Sequence, residues 1–208
     1  MDSKKNHSIF KKLKNFLDDD LKKIKNSHVL EFGVREGIST FYFLKEIKVK
    51  KLISVDINEC SNVIKDENWT FLKSRDDNQK FINSYLKKKM DVIYLDTIHT
   101  AKHVEKIIYM YFSKIKKNGY FVIDDTFWLP YCKGQPLDKY WIEINNRETF
   151  KTICEIYNAN KDKMNVTFSL ETSGICKIKK TSEKRLLPSK KIISREYSIK
   201  NLLKKLFF

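Results

Sequence analysis

The chain has 208 residues, a length typical of one domain, and its 41% hydrophobic and 33% charged residues exclude a disordered or fibrous protein. It contains no apolar run of about 18 residues, no secretory signal and no Cys-x-x-Cys pair, so we expect a cytoplasmic protein without a membrane span, zinc ribbon or disulfide framework. The net charge of +16 attracts phosphates, but only five of the 42 basic residues are arginine, which disfavours a nucleic-acid partner.

Helix and strand patterns alternate over the first 124 residues. Residues 7–25 have the apolar spacing of a helix laid against the domain, which predicts an N-terminal helical region over residues 1–27. Strands are predicted at 28–32, 51–56, 69–72, 91–96 and 120–124, with helices at 39–47, 81–86 and 103–115. This alternation predicts right-handed crossovers and a mostly parallel sheet covered by helices on both faces.

The pattern changes after Asp125. Residues 126–140 contain two prolines and several aromatic residues, which is typical of a loop that closes over a site as a lid. A helix at 148–158 and two strands at 165–170 and 174–179 follow. The short turn between these strands predicts an antiparallel hairpin, and we expect the turn only to close the sheet. The domain is thus predicted to span residues 28–180, followed by a basic tail.

A glycine-containing turn joins the first predicted strand to the first helix. Glycines there let the backbone approach a ligand, and ligands of open parallel sheets collect at the carboxyl ends of the strands. The spacing Gly33-x-x-x-Gly37 differs from that of dinucleotide sites, and Glu31 repels a pyrophosphate but attracts an ammonium group. Asp56 ends the second strand, where a carboxylate accepts both hydroxyls of a ribose. The arrangement favours a nucleotide-like cofactor over an ordinary tight turn.

The motif resembles that of the class I S-adenosylmethionine-dependent methyltransferases, and the likeness extends over residues 30–179. It is most similar to the small-molecule O-methyltransferases, in which the motif reads Glu-x-Gly-x-x-x-Gly-x-Ser. The resemblance implies a Rossmann-like α/β fold with a seven-stranded, mostly parallel sheet whose last strand is antiparallel. The resemblance also places the adenine of the cofactor near residues 75–77, and Asp76 is favoured as its contact. The residues implied for the cofactor site are Glu31, Gly33, Gly37, Ser39, Asp56, Asp76 and Asp96.

Three carboxylates and a histidine follow the fourth and fifth predicted strands. Asp96 follows one strand, and Asp124 and Asp125 end the other, so the like charges need compensation. Hard oxygen ligands favour Mg²⁺ or Mn²⁺. Metal-dependent O-methyltransferases are similar in carrying one aspartate and then an acidic pair at these places, and those that act on macrolide sugars carry a histidine base where His99 stands. The resemblance implies that the three aspartates bind the metal and that His99 removes a hydroxyl proton.

Other interpretations of these residues stay open at this stage. Asp96 and Asp124 are also suited to capping the helices that follow them. His103 and His99 have the spacing of a zinc pair, although a solvated His103 is favoured. The aromatic residues after the acidic pair are expected either to form the wall of a substrate pocket or to belong to the core. These residues are Phe127, Trp128 and Tyr131.

The function predicted from the sequence is metal-assisted methylation of a hydroxyl on a small molecule, with a sugar or glycan precursor favoured. The alternatives are a nucleic-acid methyltransferase and a non-catalytic protein that binds a cofactor or a membrane surface. The tail, residues 181–208, carries eight basic and two acidic residues and ends in an apolar stripe at helical spacing. Such a helix can lie on anionic lipid or pack against its own domain or a second subunit, and packing is the favoured interpretation.

Overall fold

In the computed structural model of the protein, the described residues are 3–128, 140–193 and 198–207. Seven strands form one sheet: β1 (His28–Phe32), β2 (Lys51–Asp56), β3 (Trp69–Lys73), β4 (Met90–Leu95), β5 (Ile115–Asp124), β6 (Met164–Ser169) and β7 (Ile175–Lys180). The helices are α1 (Ser3–Leu21), α2 (Ile38–Phe41), α3 (Gln79–Tyr85), α4 (Ala101–Tyr111), α5 (Tyr140–Ala159) and α6 (Ile199–Phe207). A π-helix (Tyr42–Ile47) continues α2, and a 3-10 turn (Phe112–Lys114) follows α4.

The strands lie in the order β3-β2-β1-β4-β5-β7-β6. Strands β1 to β5 pair in parallel, whereas β7 is antiparallel to both of its neighbours, β5 and β6. The predicted fold class is therefore confirmed, and β4 and β5 are neighbours as expected. The central strands are buried on both faces, which is why β1, β2 and β4 consist of nearly continuous apolar residues.

Several element boundaries differ from the sequence prediction. Strand β5 begins at Ile115 rather than Tyr120, because Ile115 is buried and pairs with Met90 across an irregularity in the β4 register. Helix α5 begins at Tyr140, eight residues before the predicted start, and α1 ends at Leu21. The segment predicted as one helix at 39–47 widens into a π-helix, whose first three side chains are all buried.

The core has one layer on each face of the sheet. Alternate residues of β1 point to opposite faces, so Leu30 and Phe32 join the core layer that contains α4 and α5, whereas Val29 joins the layer under α1. Helix α1 contributes Leu13 and Leu17, spaced one turn apart and buried. The N-terminal helix thus belongs to the packed body of the protein. Among the described residues, no helix has the length and apolar character needed to cross a membrane.

Candidate cofactor and metal site

The turn after β1 lies directly against the turn after β4. Gly33 adopts a φ of +91°, and a Cβ atom built on it would lie 1.9 Å from the carbonyl oxygen of Asp96. The backbone N–H of Asp96 donates to the carbonyl of Phe32 at 2.8 Å, which holds the two turns together. A side chain at position 33 would therefore force the strand ends apart, and only glycine fits.

Asp56, at the end of β2, organises the same turn. Its Oδ2 accepts hydrogen bonds from the backbone N–H groups of Val34 at 2.8 Å and Arg35 at 3.1 Å, and its Oδ1 accepts one from Asn58. Arg35 adopts a left-handed φ of +50°, a strained conformation that these bonds stabilise. The carboxylate predicted for the ribose therefore also fixes the shape of the loop.

A cavity of about 410 Å³ opens at the carboxyl ends of β1, β2 and β4. It is lined by the turns that follow these strands and by the segment after β3. Five of the residues predicted for the site line this cavity: Gly33, Asp56, Asp76, Asp96 and His99. The structure thus brings the glycine turn and the first predicted metal ligand to the same rim of the sheet.

Glu31 lies buried beneath the turn, one residue before the end of β1. Its Oε2 accepts hydrogen bonds from Thr40 at 2.8 Å and Ser54 at 2.5 Å. Its Oε1 is buried and has no partner of good geometry in the part of the chain that the structure describes. Burial raises the pKa of Glu31 to about 7, although hydrogen bonds from Ser39, Ser54 and Thr40 act against the increase. One buried carboxylate oxygen therefore lacks a hydrogen bond of good geometry among the described residues.

Asp76 is held in place from three sides. Its Oδ2 accepts a hydrogen bond from Thr97 at 2.5 Å and lies 2.7 Å from His103 Nε2, and its carbonyl accepts one from Tyr111. Only 11% of the His103 side chain is exposed. The prediction of a solvated His103 is therefore wrong, because this histidine orients the carboxylate that faces the cavity. The sequence pattern missed this role because the two residues lie 27 positions apart.

Asp96, His99 and Asp125 form a cluster beside the cavity. His99 Nε2 lies 3.2 Å from Asp96 Oδ1 and 3.4 Å from Asp125 Oδ2. One candidate ligand atom from each residue lies within 4.8 Å of the other two, a separation suited to one metal ion. Burial lowers the pKa of His99, but the hydrogen bond to Asp96 and the charges of Asp125, Asp96 and Asp124 outweigh it and raise that pKa to about 9. The neighbouring carboxylates therefore favour the protonated form of His99.

Asp124 is directed away from this cluster, which differs from the predicted set of three aspartate ligands. Its Oδ1 pairs with the buried Nζ of Lys12 on α1 and accepts the N–H of Asp125, and its Oδ2 accepts the hydroxyl of Tyr94 at 3.1 Å. Successive residues of a strand point to opposite faces, so Asp124 faces α1. Asp125 adopts a left-handed φ of +55°, and its carboxylate lies near His99. Burial raises the pKa of Asp124 to about 6, although Lys12 lowers it.

The turn between β6 and β7 contacts this region instead of only closing the sheet. Ser173 lies 3.1 Å from Lys12 Nζ, and its carbonyl accepts the N–H of Phe127 at 2.9 Å. A Cβ atom at Gly174 would lie 2.5 Å from the nitrogen of Phe127. The start of the predicted lid is thus fixed: Phe127 is half-buried and Trp128 is exposed. Tyr131 and most of the lid lie outside the described residues.

The strand order with one antiparallel strand, together with the glycine turn beside an acid-lined cavity, is the arrangement that the resemblance to class I methyltransferases implied. Residues 30–126 match the family model Methyltransf_24, described as "Methyltransferase domain". This segment runs from β1 to the turn after β5, so it contains the whole candidate site. This match agrees with the methyltransferase class that the sequence resembles, and residues 30–126 are the part of the chain that matches a methyltransferase domain.

Solved structures share the fold at low sequence identity. The MycE methyltransferase from the mycinamycin biosynthetic pathway, in complex with Mg and SAH, has a TM-score of 0.64 and 15% identity, over 85% of this chain and 52% of that chain. MycE with Mg, SAH and mycinamycin VI has a TM-score of 0.60 and 14% identity, over 94% and 54%. SAH-bound PaMTH1 from Podospora anserina has a TM-score of 0.60 and 12% identity, over 85% and 88%. The chain spans about half the length of MycE. Curated protein sequences gave no match.

Proposed function

We propose that the chain transfers the methyl group of S-adenosylmethionine to a hydroxyl of a small molecule, with the assistance of a divalent cation. The observation that carries this proposal is the position of the Asp96–His99–Asp125 cluster at the rim of the cavity formed by the glycine turn. MycE, which shares the fold, is known in complex with Mg, SAH and the small molecule mycinamycin VI. A sugar or a glycan precursor is the acceptor class that we propose for this chain.

The residues of the cavity fit the cofactor. Glu31 does not line the cavity but lies buried beneath the glycine turn, and its Oε1, which has no hydrogen bond of good geometry among the described residues, suits the ammonium group of the methionine part. Gly33 allows the turns after β1 and β4 to meet at the rim of the cavity, and Asp56 at the end of β2 lines the same cavity, where it could hold a ribose. When bound, S-adenosylmethionine supplies a methyl group that is already activated by its positive sulfur. The protein therefore contributes mainly the positioning of donor and acceptor.

The acidic cluster fits a hard divalent cation. Asp96 and Asp125 would hold Mg²⁺ or Mn²⁺, and the bound cation would lower the pKa of an acceptor hydroxyl. His99, between the two carboxylates, accepts the hydroxyl proton at Nε2. This role requires a neutral imidazole. Because the carboxylates cause the raised pKa of His99, compensation of their charge brings that pKa back toward neutrality.

Asp125→Asn is expected to reduce magnesium-stimulated methyl transfer by about a hundredfold or more, because it removes a charged ligand of the cation. SAH release in the presence of candidate sugars measures the transfer, and a mass increase of one methyl group identifies the acceptor. Mn²⁺ binding, followed by electron paramagnetic resonance, is expected to weaken in parallel. Asp162→Asn, which changes an exposed aspartate in the turn between α5 and β6, is the matched control. Activity that survives EDTA would refute the metal assignment.

Glu31→Gln is expected to weaken SAH binding by about ten- to a hundredfold, because an amide cannot replace the charge-assisted bond to an ammonium group. Calorimetry measures the affinity, with Glu67→Gln, at an exposed residue outside the glycine turn, as control. The pKa of Glu31 rises from 4.5 to about 7 on folding, so the folded state holds its proton more tightly and the free energy of unfolding falls as the pH rises through this range. The ligand-free Glu31→Gln variant should lack that fall. Unchanged SAH affinity would remove Glu31 from the cofactor site.

A further inference from the structure

Helix α6 is strongly amphipathic. Its apolar residues recur at helical spacing, from Ile199 through Leu202 and Leu203. Its polar positions carry Lys200 and Lys204, and the helix contains no acidic residue. One face of the helix is thus apolar, and all of its charged residues are basic.

The apolar face of α6 is exposed. Ile199 is 79% exposed, Leu202 45% and Leu203 51%, so Ile199 is largely exposed and about half of each leucine is exposed. In the segment that leads toward the helix, Ile192 and Ile193 are 50% and 87% exposed. Packing against its own domain is one of the two forms of packing favoured from the sequence, and the described part of the domain leaves much of this stripe exposed.

The length and charge of α6 limit what can cover this stripe. Nine residues are too few for a stable isolated helix in water, so a stable α6 needs an apolar surface. A second copy of the chain would bring the lysines of two identical helices together, in a protein that already carries a net charge of +16. An anionic lipid surface offers an apolar layer for the leucines and negative headgroups for the lysines.

We propose that α6 binds the surface of membranes that contain anionic lipids, with the Ile199–Leu202–Leu203 stripe inserted below the headgroups. The helix lies in the plane of the interface and does not cross the membrane. Lys190 and Lys191, which precede the helix in the sequence, are further basic residues of the same tail. This interaction is separate from the chemistry of the cavity and holds whether or not the proposed methyl transfer is correct.

Co-sedimentation of the full chain with lipid vesicles tests the proposal. The chain is expected to bind phosphatidylcholine vesicles that contain about one-quarter phosphatidylglycerol, and to bind pure phosphatidylcholine vesicles weakly. The double variant Leu202→Glu, Leu203→Glu should lower the partition coefficient about tenfold or more. Leu170→Glu, which changes a leucine of similar exposure (47%) in the β6–β7 turn, should leave it unchanged. Equal thermal unfolding temperatures for these variants show that each one folds.

Three results would overturn the proposal. Equal binding to neutral and anionic vesicles would remove the role of the lysines. Binding that survives the two glutamate substitutions would show that the general positive charge of the protein, and not the stripe, is responsible. A dimer in light scattering that the same two substitutions abolish would assign the stripe to a second copy of the chain. Loss of vesicle binding in Lys200→Gln, Lys204→Gln, but not in the exposed pair Lys65→Gln, Lys161→Gln, supports the proposal.

Discussion

Gly33→Ala is expected to abolish SAH binding and to lower the free energy of unfolding by about 3 kcal/mol or more. The added Cβ would lie 1.9 Å from the carbonyl oxygen of Asp96, and the φ of +91° is one that side chains rarely adopt. The obstacle is backbone, which cannot rotate away as a side chain can. Relief of the clash must separate the ends of β1 and β4, and that movement displaces Asp96 from the rim of the cavity. Urea unfolding and calorimetry with SAH measure the two effects.

Gly37→Ala provides the matched control on the same turn. Gly37 also has a positive φ, of +77°, but its added Cβ would meet the side chain of Val63 at 2.9 Å, and a side chain can shift. A smaller loss of about 1–2 kcal/mol is expected, which is the cost of a left-handed conformation. Equal losses for the two variants, or a Gly33→Ala protein that still binds SAH, would contradict the close approach of the two turns.

Local pattern was sufficient to predict the strands that position the site. β1 and β2 were predicted with their observed bounds, because each is a nearly continuous apolar run closed by a turn residue or a carboxylate. The alternation of strands and helices then fixed the parallel sheet, and the late hairpin predicted the antiparallel pair. The glycine turn, Asp56 and Asp96 converge on one cavity because carboxyl ends of parallel strands share one edge of the sheet.

Directions of side chains and long-range partners were not predictable from the sequence. Asp124 and Asp125 are adjacent in sequence, yet one carboxylate faces α1 and the other lies near His99, since the strand ends between them and Asp125 turns to a positive φ. The partner of Asp124 is Lys12, which lies 112 positions away. Lys12 stands among other lysines of α1, and nothing in the local spacing marks it as buried. The prediction that His103 is solvated is wrong for the same reason, because its partner Asp76 lies on another element.

Lys12→Met is expected to lower the free energy of unfolding by about 3–5 kcal/mol at pH 8, because it leaves the charge of Asp124 buried without its partner. Methionine keeps the length and apolar stem of lysine, so the change isolates the charge. Lys14→Met, on the same helix, breaks an exposed pair with Glu46 and should cost less than about 1 kcal/mol. Urea unfolding of both variants measures the difference.

The loss caused by Lys12→Met should depend on pH in a defined direction. The pKa of Asp124 is about 6 in the folded protein against 3.8 for the free side chain, so the folded state takes up a proton first as the pH falls. Removal of Lys12 raises the pKa of Asp124 in the folded protein further, because the positive charge of Lys12 lowers that pKa. The difference in the free energy of unfolding between the unmodified protein and Lys12→Met should therefore be largest at a pH above the folded pKa of Asp124. It should shrink toward pH 4, where the buried carboxyl of Asp124 is neutral.

The double variant Lys12→Met, Asp124→Asn separates the buried charge from the shape of the site. It removes both charges, so most of the lost stability should return at pH 8. Asp124 Oδ1 also accepts the N–H of Asp125, and an amide oxygen can keep that bond. If the Lys12–Asp124 pair holds the turn that presents Asp125, Mn²⁺ binding should be weak in Lys12→Met. Mn²⁺ binding should then recover in the double variant. A double variant with restored stability but no Mn²⁺ binding would instead make Asp124 itself a ligand, as the sequence resemblance implied.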